Sequence, residues 1–357
     1  MVGAALAYGC AKRGAAVAMI DEGDGAFRAA KANGGLIWSQ GKGVGMPAYA
    51  AWTRECVDLW PAFAEEIGAA AGEDIGFRQR GGIAFCLGEE EYEQKRSFVA
   101  TANGQPGGAA TPISLVDRTE LQALLPRAPL GPRVTGAAYT PRDADVNPLL
   151  LLRAMHAGFR ALGGLHLPGH TVLRIEHHKG GYEVVAEGVA LVAPRVVIAA
   201  GLGVSSLAKM VGLNVPIVPT RGQVMITERI EPILDMAITG CRQTLEGSLQ
   251  MGSTLEPDTT DRGVRVCDLA RIATRVCGLL PPVGTAKVVR SWAGIRPIVT
   301  DGFPVYAGST SHPGVSVALC HSAVTLASGH AGPLAEAVLA DRYPQRLSDF
   351  HSERFDV

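Results

Sequence analysis

The sequence has few features that would tie it to metals, nucleic acids or membranes. Its seven cysteines form no C-x-x-C pair, so they fit neither a disulfide framework nor a zinc ribbon, and we predict no metal site. Lys and Arg number 33 and Asp and Glu 34, a balance that gives no long-range field for nucleic acid or an anionic membrane. No apolar run is long enough to span a bilayer, and the start lacks the basic leader of a signal peptide. We therefore predict a cytoplasmic protein without a membrane span or a nucleic-acid partner.

Glycine and apolar residues, by contrast, are abundant. The chain of 357 residues contains 44 glycines and is 47% hydrophobic, with only 19% charged residues. This composition is typical of an α/β enzyme with many tight turns, and the length allows one large domain or two ordinary ones. A cofactor site and a substrate site would both fit in such a chain.

The first segment has the pattern of a dinucleotide-binding unit. The sequence predicts a helix from Val2 to Arg13 and an apolar strand from Ala16 to Ile20, followed by Asp21. Gly3 at the head of the helix and the acid after the strand match the part of the G-x-G-x-x-G fingerprint that binds pyrophosphate and ribose. A glycine and an acid in these places are also common without a ligand, so both readings stay open.

Two further segments offer small residues where a ligand would need space. The loop Asn33-Gly34-Gly35 would let backbone amides approach a phosphate or a flat ring. A buried strand ends in Ala200-Gly201, and small residues at the carboxyl end of a strand leave room for a ligand. A flexible linker and ordinary strand packing are the alternatives for these two segments.

Arg296 gives the strongest single signal. It stands on an apolar strand that includes Gly294 and reaches a turn at Pro297. An arginine is costly to desolvate, and a carboxylate bound through two hydrogen bonds, or a flavin oxygen, would compensate that cost. The alternative is a structural ion pair with a nearby acid such as Asp301.

The last predicted helix runs from Ser322 to Leu339 and follows a strand and His321 directly. Its N-terminus would present free amides and the positive end of the helix dipole to the electron-rich edge of a reduced flavin. His321 beside it could be a catalytic base or polar anchor, or a hydrogen-bonded structural histidine.

The order of elements predicts an α/β plus α+β fold. Helices and strands alternate in several separated pieces, while strand signals between Val215 and Met251 follow one another at the short intervals of an antiparallel sheet. We predict a discontinuous, Rossmann-like dinucleotide-binding domain with an inserted, mainly antiparallel substrate domain. The predicted boundaries are 1–46, 141–212 and 288–350 for the first domain, and 47–140 and 213–287 for the second.

Together and in this order, these segments resemble the D-amino-acid oxidase superfamily of FAD enzymes, which includes glycine oxidase, sarcosine oxidase and the D-amino-acid dehydrogenases. The resemblance covers almost the whole chain and includes the W-x-G-x-R-P run that contains Arg296. The run from Cys320 to Ala327 and the Q-G-K-G run at 40–43 look most like the β subunits of opine oxidases and hydroxyproline dehydrogenases.

The resemblance implies FAD as the cofactor, held by the Rossmann segments, and a substrate carboxylate paired with Arg296. Hydride transfer from the substrate's α-carbon to the flavin would oxidise the C–N bond of a D-amino acid, a hydroxyproline or an opine. Partner subunits would carry the electrons onward. A 2-hydroxyacid dehydrogenase of the same fold and a non-catalytic, flavin-carrying subunit are the alternatives. The residues predicted to act in catalysis are Arg296 and His321, and those predicted to bind FAD are Gly3, Asp21, Asn33, Gly34, Gly35, Ala200, Gly201, Gly294, Ser322, Ala323, Val324 and Thr325.

Two departures from the family pattern modify these expectations. The first strand and first two glycines of the fingerprint are missing, so we expect weak FAD retention if Met1 is the true beginning of the protein. The sequence also lacks the second arginine that glycine oxidases carry before the last helix, so glycine is not the expected substrate. Trp52, Tyr139 and Met251 are candidates for the wall of the substrate site.

Overall fold

The computed structural model describes residues 1–23, 28–106 and 112–356. Its helices are α1 (Val2–Lys12), α2 (Ala29–Ala32), α3 (Pro47–Ala71), α4 (Glu89–Gly104), α5 (Arg118–Leu124), α6 (Pro148–Ala161), α7 (Val204–Lys209), α8 (Val266–Leu279), α9 (Ala327–Gly329) and α10 (Ala335–Ala340). Its strands are β1 (Ala18–Asp21), β2 (Leu36–Ile37), β3 (Gly82–Leu87), β4 (Ser114–Asp117), β5 (Val134–Thr140), β6 (Ala144–Asp145), β7 (Leu165–Pro168), β8 (Val172–His178), β9 (Gly181–Ala186), β10 (Val189–Ala193), β11 (Val196–Ile198), β12 (Ile217–Arg229), β13 (Ala237–Ile238), β14 (Cys241–Gln243), β15 (Ser248–Gly252), β16 (Val288–Val299), β17 (Val305–Gly308) and β18 (Val315–Leu319).

The predicted nucleotide-binding segments lie in a layer that contains parallel strand pairs. Strand β1 pairs in parallel with β7, and β11 pairs in parallel with β18, whose other neighbour is the antiparallel β17. Helix α1 is rich in Ala and Gly, and almost all of it is buried. A Cβ at Gly9 would overlap the Ala331 carbonyl, so this glycine allows α1 to pack directly on the C-terminal helical segment.

The predicted antiparallel layer is a sheet of eight strands in the order β16-β12-β15-β14-β13-β3-β5-β4. Its pairs are antiparallel except for β13 and β3, which run in parallel. One face packs in a hydrophobic cluster that contains Ile83, Met225, Leu249 and Val276. The sequence prediction of a parallel layer combined with a mainly antiparallel sheet is therefore confirmed.

Helix α3 packs on helices of the nucleotide-binding layer through a core that includes aromatic residues. Pro47 stands in its first turn, and Gly72 ends it with φ 64°, the left-handed conformation that glycine adopts without strain. Its Trp60 and Phe63 are buried in one cluster with Tyr8 of α1 and Leu151 of α6. The segment 47–71 thus packs on helices of the nucleotide-binding layer, whereas β16 belongs to the large sheet. The domain boundaries given above stay a prediction.

The last helix differs from its prediction. Residues Ser322 to Leu326 form a turn, closed by a hydrogen bond of 3.1 Å from Leu326 N to Ser322 O. Helix α9 begins only at Ala327, and a π-helical segment, His330–Leu334, joins it to α10. Pro333 has no N–H to donate within a helix, and Gly332 has non-helical dihedral angles. The prediction of one continuous helix from Ser322 was therefore wrong.

None of the helices in the described part of the chain is long and apolar enough to span a bilayer.

Candidate active site

One large cavity of about 1730 Å³ lies where the parallel layer meets the eight-stranded sheet. This volume exceeds the usual size of a pocket for one drug-sized ligand and leaves room for a dinucleotide together with a substrate. All fourteen residues that the sequence singled out line this cavity: Gly3, Asp21, Asn33, Gly34, Gly35, Ala200, Gly201, Gly294, Arg296, His321, Ser322, Ala323, Val324 and Thr325.

Gly3, Asp21 and the strand end at Ala200-Gly201 form one end of the cavity. A Cβ at Gly3 would lie 3.3 Å from the Ala199 Cβ, so the glycine lets the first turn of α1 approach the end of β11. Asp21 ends β1, and its Oδ1 accepts a hydrogen bond of 2.8 Å from Gly23 N. Gly201 has φ +60°, and a Cβ there would meet no other atom. The backbone at this end is thus open to a ligand.

The loop Asn33-Gly34-Gly35 is an ordered turn and not a flexible linker. Asn33 Oδ1 accepts a hydrogen bond of 2.9 Å from Gly35 N, and Arg242 Nε donates one of 2.6 Å to Gly34 O. Gly35 has φ +74°, and a Cβ there would overlap the Val146 carbonyl. A Cβ at Gly34, in contrast, would meet nothing, so this residue presents bare backbone to the cavity.

Arg296 projects from β16 and is held only by neutral oxygens among the described residues. Its Nη1 donates to Thr254 O at 3.1 Å, and its Nη2 donates to the Ser253 hydroxyl. Burial lowers the pKa of its guanidinium below the ordinary value, although Glu256 nearby acts in the opposite direction. Asp301 pairs instead with Arg354 at 2.7 Å, so the expected alternative, a structural pair between Arg296 and Asp301, was wrong.

Two glycines make space for Arg296 and its strand. A Cβ at Gly222, which faces Gly294 in the β12–β16 pair, would overlap the Arg296 guanidinium. A Cβ at Gly294 would overlap Ala32 of α2. Gly294 therefore lets α2 approach the cavity wall, and Gly222 lets the guanidinium lie flat on the sheet.

His321 lies in the cavity wall next to Arg296 and to a residue that sequence reasoning missed, Lys42. The His321 Nε2 is 3.3 Å from Lys42 Nζ and 3.4 Å from the Ser322 hydroxyl. The ring is accessible through the cavity, yet the surrounding protein desolvates it. This desolvation, together with the charges of Lys42 and Arg296, lowers the pKa of His321 to about 3. The ring is therefore neutral near pH 7, and its Nε2 accepts a hydrogen bond from the Lys42 ammonium.

The turn after His321 is held in place by hydrogen bonds from aromatic residues of α3. Trp60 Nε1 donates a hydrogen bond of 2.9 Å to Thr325 O, and the Tyr49 hydroxyl donates one of 2.9 Å to the Ser322 hydroxyl. The Thr325 hydroxyl accepts from Trp38 N at 3.1 Å. Since α9 begins two residues later, the amides that face the cavity here belong to a turn and not to a helix N-terminus.

Several wall residues carried a weak sequence signal or none. Lys42 stands between Gly41 and Gly43, a spacing that indicates a tight loop but not the direction of its side chain. Met251 lines the cavity as expected. Trp52 and Tyr139 do not line the cavity. Trp52 is 2% exposed and donates a hydrogen bond to the Tyr306 hydroxyl. Trp38, which was not predicted, occupies the wall instead.

The comparisons with known proteins agree with this architecture. Residues 1–337 match the family model described as DAO, FAD dependent oxidoreductase. This chain belongs to that family. An opine oxidase subunit of Agrobacterium tumefaciens (strain Ach5) is 36% identical to it over 356 residues, which cover 99% of this chain and 95% of the relative. The corresponding opine oxidase subunit from Rhizobium meliloti is 35% identical, and this match covers all of the chain and 96% of the relative.

Solved structures of the family share the fold. The structure of glycine oxidase from Geobacillus kaustophilus superposes with a TM-score of 0.88 at 27% identity, covering 99% of this chain and 96% of that one. L-proline dehydrogenase from P. horikoshii has a TM-score of 0.85 at 21% identity, with 99% and 95% coverage. As a DAO family member, the chain is an FAD-dependent oxidoreductase. Its cavity is large enough for a dinucleotide and presents bare backbone to it.

Proposed function

We propose that this enzyme oxidises the C–N bond of an amino acid or a secondary amine with FAD. The observation that carries the proposal is Arg296, a desolvated cation in the cavity wall that has only neutral partners among the described residues. Such a group is stabilised by the carboxylate of a substrate. Relatives named opine oxidase and glycine oxidase, and a structural neighbour named iminodiacetate oxidase, support an amine or amino acid as that substrate.

The cavity wall suggests how FAD is held. Gly3 and Asp21 would bind the pyrophosphate and ribose, with Ala200 and Gly201 beside them. The flavin ring would lie against the bare backbone of the Gly34 loop and the turn that follows His321. Bound FAD supplies the hydride acceptor of the reaction. The remaining residues predicted to bind it are Asn33, Gly35, Gly294, Ser322, Ala323, Val324 and Thr325.

The side chains of the site would orient the substrate rather than carry out strong acid or base chemistry. Arg296 would hold the carboxylate, so that the α-carbon hydrogen points toward the flavin. His321 is uncharged near neutral pH because its pKa is about 3, so it would act as a hydrogen-bonding anchor and not as a proton donor. Hydride loss from the α-carbon gives an imine, which water hydrolyses after release.

We further propose that the protein works as one component of a larger enzyme. Two relatives that match nearly the whole chain are each named as a subunit of opine oxidase. A partner chain would accept the electrons from the reduced cofactor, and this chain would be the dehydrogenase component.

The test is anaerobic reduction of the FAD-loaded protein by a panel of substrates. The panel contains D-amino acids, proline derivatives, N-carboxyalkyl amino acids and 2-hydroxyacids, and loss of the visible flavin band is followed by absorbance. We expect bleaching by at least one amine or amino acid and not by the 2-hydroxyacids. Reduction by hydroxyacids alone would replace the proposal with a hydroxyacid dehydrogenase. Absence of bleaching by every compound would leave a flavin carrier without catalysis.

A further inference from the structure

The loop that carries Lys42 is built to deliver one side chain into the cavity. Gly41 and Gly43 have φ +75° and +72°, and a Cβ at Gly43 would overlap the Ala50 backbone. Asp143, completely buried, accepts hydrogen bonds of 2.6 Å from both the backbone N–H and the hydroxyl of Ser39. These constraints fix the loop on both sides of Lys42, whose ammonium therefore has a defined position.

The position of Lys42 creates a local excess of positive charge. Among residues 1–23, 28–106 and 112–356, the hydrogen-bond partner of its Nζ is the neutral His321 ring, at 3.3 Å. The charge of Arg296 also lowers the pKa of this ring. Neither Lys42 nor Arg296 has an acidic side chain within ion-pair distance in the described part of the chain. The Asp143 carboxylate accepts hydrogen bonds from Ser39 and Gln40 instead. Lys42 and Arg296 thus face one end of the cavity, and no carboxylate of the described residues forms an ion pair with either.

A substrate with one carboxylate would neutralise only one of these cations. The second would then stay desolvated beside a like charge, which is unfavourable. We propose that Lys42 is a specificity-determining residue that binds a second anionic group of the substrate, so that the site selects amines with two carboxylates. This inference rests on the proposed function only in taking Arg296 as the anchor for the first carboxylate.

The charges around Lys42 favour a substrate group over the cofactor as its ligand. Among the described residues, Asp21 and Gly3, which belong to the end of the cavity proposed for the FAD phosphates, make no hydrogen bond to Lys42. The charged groups that affect its pKa are Arg296 and Asp143, while the nearby Cys320 thiol, with a pKa of about 12, is neutral. Lys42 therefore lies at the end of the cavity that contains His321 and Arg296, where the substrate carboxylate is proposed to bind.

The test measures binding of ligands that cannot be oxidised to the FAD-loaded protein by calorimetry. Thiodiacetate and its longer homologue, carboxymethylthiopropionate, carry two carboxylates, and (methylthio)acetate carries one. All three have a thioether where the substrate has nitrogen. We expect the better diacid to bind the native protein about tenfold more tightly than the monoacid, as for one charge-assisted contact.

The Lys42→Met and Lys42→Gln variants should lose this preference for the diacid, while their affinity for the monoacid changes less than about twofold. The Lys42→Arg variant should keep most of the preference for the diacid. Lys209→Met, which removes an exposed lysine of α7, is the matched control and should behave as the native protein does. Two Lys42 variants are used so that the test stays valid if one of them misfolds.

Three outcomes would overturn the proposal. The native protein could show no preference for either diacid, the Lys42 variants could lose affinity for monoacid and diacid equally, or they could lose FAD affinity instead. Failure of the proposed function is recognised separately: no amine would then bleach the flavin, while the binding preference for diacids and its dependence on Lys42 would persist.

Discussion

Arg296 and Lys42 illustrate how the partners of a charged residue reveal its role. Some other cations in this protein are paired with carboxylates, as Arg221 is with Glu256 and Asp261, and Arg78 with Asp145. The buried Arg242, in contrast, donates to Gly34 O and Gln250 Oε1. Arg296, likewise, is bound by a hydroxyl and by carbonyl groups. Holding a cation in this way costs solvation energy that the nearby charge of Glu256 offsets only in part, since the pKa of Arg296 stays below its ordinary value. The missing counter-charge is what a bound substrate would supply.

Replacing Arg296 by methionine should weaken substrate binding severely. Loss of a desolvated charge pair costs about 2–5 kcal/mol, so we expect kcat/KM for the amine substrate to fall roughly 100-fold or more, mainly through KM. Arg296→Lys should recover part of the loss. Arg127→Met, which removes an exposed partner of Asp235, is the control. A KM unchanged in Arg296→Met would show that the substrate carboxylate binds elsewhere.

Binding of the diacid should depend on pH through Lys42. Burial and the charge of Arg296 lower the pKa of Lys42 to about 8, and the charge of Asp143 acts in the opposite direction. His321 and the Cys320 thiol beside it are neutral in this pH range. The ammonium is charged below this pKa, so the preference for thiodiacetate over (methylthio)acetate should be full at pH 7 and disappear as the pH rises through about 8. Calorimetry at several pH values measures this. A preference that stays constant up to about pH 10 would contradict the role of Lys42.

At the scale of single elements, the glycine loop at 41–45 shows which glycines are required by packing. Gly43 and Gly45 both have positive φ, but a Cβ would overlap Ala50 only at Gly43. Gly43 lets the loop turn directly against the start of α3. The loop is therefore fixed by a contact with the helix as well as by its own turn.

The variants Gly43→Ala and Gly45→Ala separate these two effects. Gly45→Ala should destabilise the native state by about 1 kcal/mol, the cost of a left-handed residue with Cβ. Gly43→Ala should cost roughly 2–4 kcal/mol because steric overlap adds to that strain. Thermal unfolding of the two FAD-loaded variants compares them directly. Equal midpoints would show that the contact with Ala50 does not constrain the loop.

The elements were predictable from sequence where a local pattern determines them. Apolar periodicity and end signals predict helices at 2–13, 47–70, 89–103 and 147–163, and the structure has helices at 2–12, 47–71, 89–104 and 148–161. The last helix was mispredicted for two reasons. Pro333 is a helix breaker within the predicted range, which the apolar pattern alone does not take into account. The turn at 322–326 is held by a hydrogen bond from Trp60 of α3 to Thr325 O. A tertiary contact of this kind leaves no periodic pattern in the sequence.

The site was predictable in its backbone positions and less so in its side chains. Glycines and strand ends mark where a ligand needs space, and all of those positions line the cavity. Which long side chains enter it depends on how separate elements meet. Trp52 turns into the core toward Tyr306, while Lys42 reaches His321 from a part of the chain 279 positions away.

At the scale of the whole molecule, one cavity joins the parallel layer to the eight-stranded sheet. The parallel layer contributes Gly3, Asp21 and Gly201, and the large sheet contributes Arg296. The cofactor and the substrate would therefore meet at the junction of the two layers. We propose that a hydride leaves a carbon next to nitrogen at this junction.

The most direct test of that claim is a single anaerobic turnover of the FAD-loaded protein with an N-carboxyalkyl amino acid. The loss of the oxidised flavin band and the amount of oxo acid formed are measured in the same sample. We predict one oxo acid, with release of the corresponding amine, for each flavin reduced. Flavin that stays oxidised, or flavin reduction without cleavage of the C–N bond, would contradict the account.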